Sequence, residues 1–456
     1  MRRNPESPNS RDKKSESLKL VLAVLPAFLI GLAFGLGKIV RDCSLTCNVG
    51  YELSPLAIIA AGIVALPISA MTVRLAVRLG YPRWQVWNLA TIAISFFMFW
   101  FASYSFVSRY PSGVETSVSG NSWNLPVRLI YLGFFVWLGG SSVVFAPNIK
   151  RTIYKLYNST ERSKALAFST AAFISGGLAG GFIASFAIPA IMDRLDLRYE
   201  LARDSLMLGM GIVILFTIPV FIIISRLYPG DFFGPQNVDP TDAQFSIFPS
   251  TSRINLGNSI RLIASFSELR RMAGLILMRG MADTVLLYLF YWLVTEQTPS
   301  INGRTMFFAD FYIVLNASTL LLLVFGTNRI INRSGLILAL LILPLSLLLG
   351  TSYLIVQSLI VVAYVLRIAD SALEQSLYSQ SLDRVILQVD ESLAPSVRPV
   401  FHGLAPRMGK GLGAICVLIL TFGIGVTFQQ MSVFFLVILV LWTLTVFSLR
   451  PHLRSN

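Results

Sequence analysis

Charge is scarce in this chain. Charged residues make up 13% of it, about half the share of an average soluble domain, against 55% hydrophobic residues. That balance excludes an ordinary soluble globule and places the chain in the membrane class. Histidine occurs twice, as His402 and His452, and cysteine three times. None of these has metal-ligand spacing, so no metal site or other cofactor is expected. Cys43 and Cys47, four residues apart, read as unpaired small residues, and Cys416 as a packing residue. A nucleotide-hydrolysis motif is also missing. The glycine run at 176–181 has no G-K-[ST] ending, and Gly409-Lys410-Gly411 follows no strand. No nucleophile–base arrangement stands out, so an enzyme is not expected.

The formal charge of +14 needs no nucleic-acid partner, because no basic soluble domain with groove-reading or aromatic elements is present. It follows instead from the loops. Apolar runs of about 20 residues, the length of one membrane crossing, recur roughly twelve times. They fall near 18–45, 54–76, 85–107, 127–149, 163–192, 204–226, 271–295, 307–327, 335–354, 356–384, 404–429 and 431–449. Of the 37 Lys and Arg residues, twenty-seven lie before the first span, after the even-numbered spans or at the C-terminal end, and six in the opposite loops. The positive-inside rule then predicts a multi-pass protein of the inner or plasma membrane with both termini cytoplasmic. The first 17 residues read as a disordered basic tail. Two six-helix halves, 18–226 and 271–449, flank a linker at 227–270, and residues 450–456 form a short cytoplasmic tail.

The remaining four cations lie inside the spans, with four acids, on the first, seventh and tenth helices only. They are Lys38, Arg41 and Asp42; Arg279 and Asp283; and Arg367, Asp370 and Glu374. An ionisable group at bilayer depth costs several kcal/mol unless it is paired or faces a watery cavity. This recurrence on every third helix predicts one polar cavity lined by all three helices, with these eight residues as candidate substrate-binding or coupling groups. Arg367, Asp370 and Glu374 share one helical face near the membrane midplane. Arg279 and Asp283, four apart, can pair along their own helix or line the path. Lys38 and Asp42 share a face near the outer end, where an outer gate through Glu296 or Asp310 is one reading.

An internal repeat supports the two halves. Arg74-Leu75-Ala76-Val77-Arg78-Leu79-Gly80 after the second span matches Arg329-Ile330-Ile331-Asn332-Arg333-Ser334-Gly335 after the eighth. The glycine runs at 176–181 and 409–413 form a weaker second match and predict close helix packing between the halves. Parallel repeats of six helices are the organisation of major facilitator transporters, and the basic turn resembles that superfamily's loop motif. The resemblance implies an all-α polytopic fold of about twelve transmembrane helices and assigns Arg74, Arg78, Gly80, Arg329, Arg333 and Gly335 to gating loops.

Within that group, Arg41-Asp42, the Gly50-to-Pro55 entry to the second helix, and Arg367-x-x-Asp370-x-x-x-Glu374 resemble the ATP/ADP translocase (nucleotide transporter) family and its broader bacterial relatives. The nucleotide exchangers carry a Lys soon after the Arg-Asp pair, where this chain has Cys43-Ser44-Leu45. The resemblance implies a secondary active transporter of a small polar or anionic solute, nucleotide exchange among the forms, driven by a proton or counter-substrate. Its partners are that solute and the lipid bilayer. Two alternatives stay open: proton-coupled efflux of amphipathic compounds, and a scaffold or receptor that kept the fold without transport.

Overall fold

The computed structural model describes residues 10–107, 125–157, 159–195, 199–228, 256–387, 393, 397 and 400–449. Most of the expected linker, the C-terminal tail and residues 1–9 lie outside the described residues. Helix α1 begins at Ser10, inside the stretch expected to be a tail, and runs to Ser44.

The first half continues with α2 (Ser54–Leu79), α3 (Tyr81–Val107), α4 (Leu125–Leu156), α5 (Ser159–Leu195) and α6 (Tyr199–Leu227). The second comprises α7 (Ser267–Gln297), α8 (Ile301–Leu321), α9 (Thr327–Val356), α10 (Ile360–Leu373), α11 (Ala405–Leu418) and α12 (Phe428–Ser448). A short amphipathic helix, Leu256–Ser265, precedes α7. Among the described residues, eleven helices are long and apolar enough to cross a membrane. The tenth is the exception because its charges are concentrated. Every 18-residue stretch of 360–387 holds three or more of Arg367, Asp370, Glu374, Asp383 and Arg384. There α10 passes through a π segment, Glu374–Tyr378, into Ser379–Leu387. Wide turns of this kind recur at functional sites.

Backbone geometry bears out the repeat. Gly80 has φ 75° and ψ 146°, and Gly335 has φ 78° and ψ 167°, the same left-sided conformation at corresponding turns. Only glycine adopts it without strain. At Gly335 the tail of the eighth crossing breaks from the ninth inside α9. Arg74, Arg78, Arg329 and Arg333 are exposed around these turns.

The glycine runs do something different from the expectation. Gly176 packs on α1 of its own half, where an added Cβ would lie 2.0 Å from the Phe28 carbonyl oxygen. Gly409 does the same on α7, with the Leu277 carbonyl oxygen 2.5 Å from such a Cβ. Both runs therefore let backbones touch within a half, as small residues do in membrane helix pairs. Only Gly177 and Gly181 face the other half, against Asn316 and Ile313 of α8.

Candidate functional site

The eight predicted charges form two separate groups rather than one ring. In the second half, α7, α10 and α11 bring six charges together. Arg279 reaches Asp370 at 3.0 Å and Glu374 at 2.6 Å. Arg367 bridges Asp283 at 2.7 Å and Asp370 at 2.8 Å. The sixth member, Lys410, holds the other oxygen of Asp283 at 2.9 Å. Three cations thus face three carboxylates, so the cluster is neutral and closed on itself. Arg279 and Asp283 do not pair along α7; each bonds across to another helix, because both point into the same seam. Asp370 is fully buried between two guanidinium groups.

By the loop count Lys410 is one of the twenty-seven cations outside the spans. In the structure α11 starts at Ala405 with Pro406 in its first turn, which puts Lys410 well inside a helix. Gly409 just before it and Gly413 a turn later press α11 onto α7, and the ammonium reaches Asp283.

In the first half, Arg41 holds the Oδ1 of its neighbour Asp42 at 2.5 Å. The other oxygen of Asp42 accepts a hydrogen bond from the Tyr312 hydroxyl on α8, across the boundary between the halves. The outer gate through Glu296 or Asp310 is not formed with Lys38 or Arg41 among the described residues; Glu296 accepts instead from Trp292 Nε1. Lys38, on the same face of α1, has no carboxylate partner among the described residues. Its ammonium lies 5.7 Å from the centre of the Tyr312 ring.

Lys38 and Arg41 line a 260 Å³ cavity between α1, α4 and α5. Phe34 joins them from α1, Ser142 and Phe145 from α4, and Phe173 from α5. The spacing 34, 38, 41 sets one ring and two cations along a single helical stripe. The cavity is therefore lined by both aromatic rings and cations.

A further buried pair was not foreseen. Arg203 and Asp204 lie in the second turn of α6, and both are fully buried. Arg203 bonds Asp204 at 2.8 Å, the Asn48 side-chain oxygen at 3.0 Å and the Tyr131 hydroxyl at 2.8 Å. Asp204 also accepts from Ser103 and Tyr131. The network anchors the π segment Leu45–Val49 that ends the first crossing. The Arg-Asp dipeptide, repeated from Arg41-Asp42, was the available signal.

That π segment meets the second half directly. Arg304 donates to the Thr46 carbonyl at 2.7 Å while also binding the Thr295 and Thr298 carbonyls that end α7. Cys43 Sγ lies 2.7 Å from Thr305 Oγ1, and Tyr51 stacks near Tyr288 and Trp292. The end of the bundle away from the termini is therefore tied shut by polar and aromatic contacts between the halves. Cys43 and Cys47 are not joined by a disulfide, and their sulfurs lie 3.4 Å apart.

No protein-family profile matches the chain, and no curated protein matches it in sequence. Solved structures do match in shape. A partially occluded inward-open structure of the xylose transporter XylE from E. coli aligns with a TM-score of 0.58 at 14% identity, covering 95% of this chain and 97% of that one. A bacterial homolog of the human lysosomal transporter Spinster, inward-facing and unoccupied, aligns at 0.57 and 13% identity over 94% and 96%. The nucleoside transporter NupG aligns at 0.56 and 13% identity over 94% and 99%. Together with the repeat and the twelve helices, these alignments show that the chain has the all-α polytopic fold of major facilitator transporters.

Proposed function

We propose that the protein is a secondary active transporter that carries a small organic anion by alternating access between its two halves. One observation carries this reading: Lys38 faces a cavity with no carboxylate to neutralise it. In the cluster of α7, α10 and α11 each cation has an acidic partner. In the first half, Arg41 and Asp42 cancel, and Lys38 is left over. An uncompensated ammonium at membrane depth is costly unless water or an anion meets it.

The likeness to ATP/ADP translocases keeps nucleotide exchange within this class. The size of the cavity favours something smaller, since 260 Å³ holds roughly ten to fifteen non-hydrogen atoms at the packing density of protein interiors. The neutral charge cluster of α7, α10 and α11 is the natural candidate for coupling to a proton or counter-substrate. On this reading both termini are cytoplasmic, and the basic turns at Arg74–Gly80 and Arg329–Gly335 move with the halves.

The test is uptake into proteoliposomes loaded with unlabelled solute, using labelled short carboxylates, phosphate and ADP, with Lys38→Gln alongside. Uptake of one of these anions, lost in Lys38→Gln and recovered in Lys38→Arg, is the expected result. Uptake that Lys38→Gln leaves unchanged removes the anion reading. Transport of none of the probes by folded protein favours the scaffold alternative.

A further inference from the structure

The cavity beside Lys38 says more about its ligand than its sign. We infer that it is shaped for a monocarboxylate bearing a single flat ring, an inference that rests on the anion-transport reading above.

Charge limits the ligand first. Arg41 already holds Asp42 at 2.5 Å, so one positive charge, that of Lys38, is available to the cavity. A monoanion makes the filled site neutral. A phosphate dianion or a nucleoside diphosphate leaves negative charge against apolar walls, where it is poorly solvated.

The walls limit it next. Phe34 sits one turn from Lys38 along α1. Its ring meets Phe145 edge-on, with centroids 5.0 Å apart and planes at 78°, and Phe173 at 6.4 Å and 44°. Rings set at such different tilts offer both edges and faces, and a flat aromatic ligand gains from offset or edge contacts with each. The carboxylate end then lies at Lys38 and the ring at Phe34, about one helical turn apart, or ~5–6 Å. Ser142 stands on the α4 wall of the same cavity. Volume agrees: a single ring with a short acidic arm fits within 260 Å³.

Binding of radiolabelled phenylacetate to the purified full-length protein tests this, with cyclohexylacetate, acetate, inorganic phosphate and ADP as competitors. Phenylacetate is expected to bind, cyclohexylacetate to compete about two- to tenfold more weakly because its ring is not flat, and acetate, phosphate and ADP to compete at least tenfold more weakly still. Phe145→Leu is expected to narrow the gap between phenylacetate and cyclohexylacetate while keeping carboxylate binding. Lys38→Gln is expected to lose binding at least tenfold, and Lys38→Arg to regain it.

Equal competition by cyclohexylacetate overturns the flat-ring assignment. Equal competition by acetate or phosphate overturns the ring altogether, while the anion-transport reading survives. Binding of ADP alone overturns it in favour of a nucleotide site. Phenylacetate binding that Lys38→Gln and Phe145→Leu both leave intact places the ligand elsewhere and also overturns it. Absence of binding by every probe, with no anion uptake, sinks both readings together. The competition series uses the unaltered protein, so it decides the matter even where a variant fails to fold.

Discussion

Tyr312 and Asp42 join the two halves of the protein through one hydrogen bond, phenol to carboxylate, while Arg41 occupies the carboxylate's other oxygen. Asp42 is thus satisfied partly by its own half and partly by the opposite one. If the halves separate at this end, Asp42 keeps Arg41 and loses Tyr312. Hydrogen bonds to charged groups contribute about 1.5–3 kcal/mol. Tyr312→Phe removes the bond and leaves the ring in place, so opening at this end should become at least about tenfold more frequent. The neighbouring Cys43 and Cys47, both buried, report it. In a Cys416→Ser background, their labelling by a maleimide should accelerate about tenfold in Tyr312→Phe. An unchanged labelling rate would show that the bond does not hold this end closed.

The fold was largely legible because membrane burial writes plainly: apolar runs, basic turns and glycines at fixed places are each dictated by the bilayer. Arg74-to-Gly80 and Arg329-to-Gly335 were recognised as equivalent, and their glycines share one backbone conformation. The grouping of charges was less legible. Lys38, Arg279 and Arg367 stand in apolar runs and announce themselves. Lys410 and Arg203 stand near helix starts beside loop-like charge, and only tertiary packing reveals that they are inside. Periodicity put Arg279 and Asp283 on one face of α7, but cannot tell a bond along a helix from two bonds across to other helices. It was equally unable to say that the first-half charges would line a cavity and the second-half charges would close on one another.

The Arg203–Asp204 pair gives a prediction about stability rather than transport. Both groups are fully buried, so removing one leaves the other as an unpaired charge, at a cost of about 3–5 kcal/mol. Asp204→Asn and Arg203→Met should each lower the thermal midpoint of the detergent-solubilised protein by several degrees. The double variant Arg203→Met/Asp204→Leu should recover much of that loss, because no orphan charge remains. Additive losses would mean that the bonds to Asn48, Tyr131 and Ser103 matter more than the ion pair.

Within the second-half cluster the partners are unequally shared. Asp283 has two cations, Arg367 and Lys410, whereas among the described residues Lys410 has Asp283 as its only ion-pair partner. Lys410→Gln therefore leaves Asp283 paired, and with Lys410 half exposed the expected loss is about 1 kcal/mol or less. Asp283→Asn strips Lys410 of its carboxylate and takes one of two partners from Arg367, for an expected loss of about 3 kcal/mol. Unfolding of the two variants compared with that of Asp283→Asn/Lys410→Gln checks this ordering. Equal losses in the two single variants would contradict the sharing described here.

The glycines of α5 separate packing within a half from packing between halves. A Cβ on Gly176 would sit 2.0 Å from the Phe28 carbonyl oxygen and 2.7 Å from the Leu32 nitrogen. Both are helix backbone, so relief requires α1 and α5 to move apart along their whole contact. Overpacking of this kind costs typically 1–3 kcal/mol or more. A Cβ on Gly177 instead meets the Asn316 side chain at 3.1 Å, and a side chain can swing away. Gly176→Ala should therefore lower the thermal midpoint clearly. Gly177→Ala should leave it nearly unchanged and alter only how the halves meet. Should Gly177→Ala slow or speed transport without loss of stability, the contact between α5 and α8 is a sliding surface of the transport cycle. If Gly176→Ala proves as mild as Gly177→Ala, the tight α1–α5 contact is not needed for the first half to hold together.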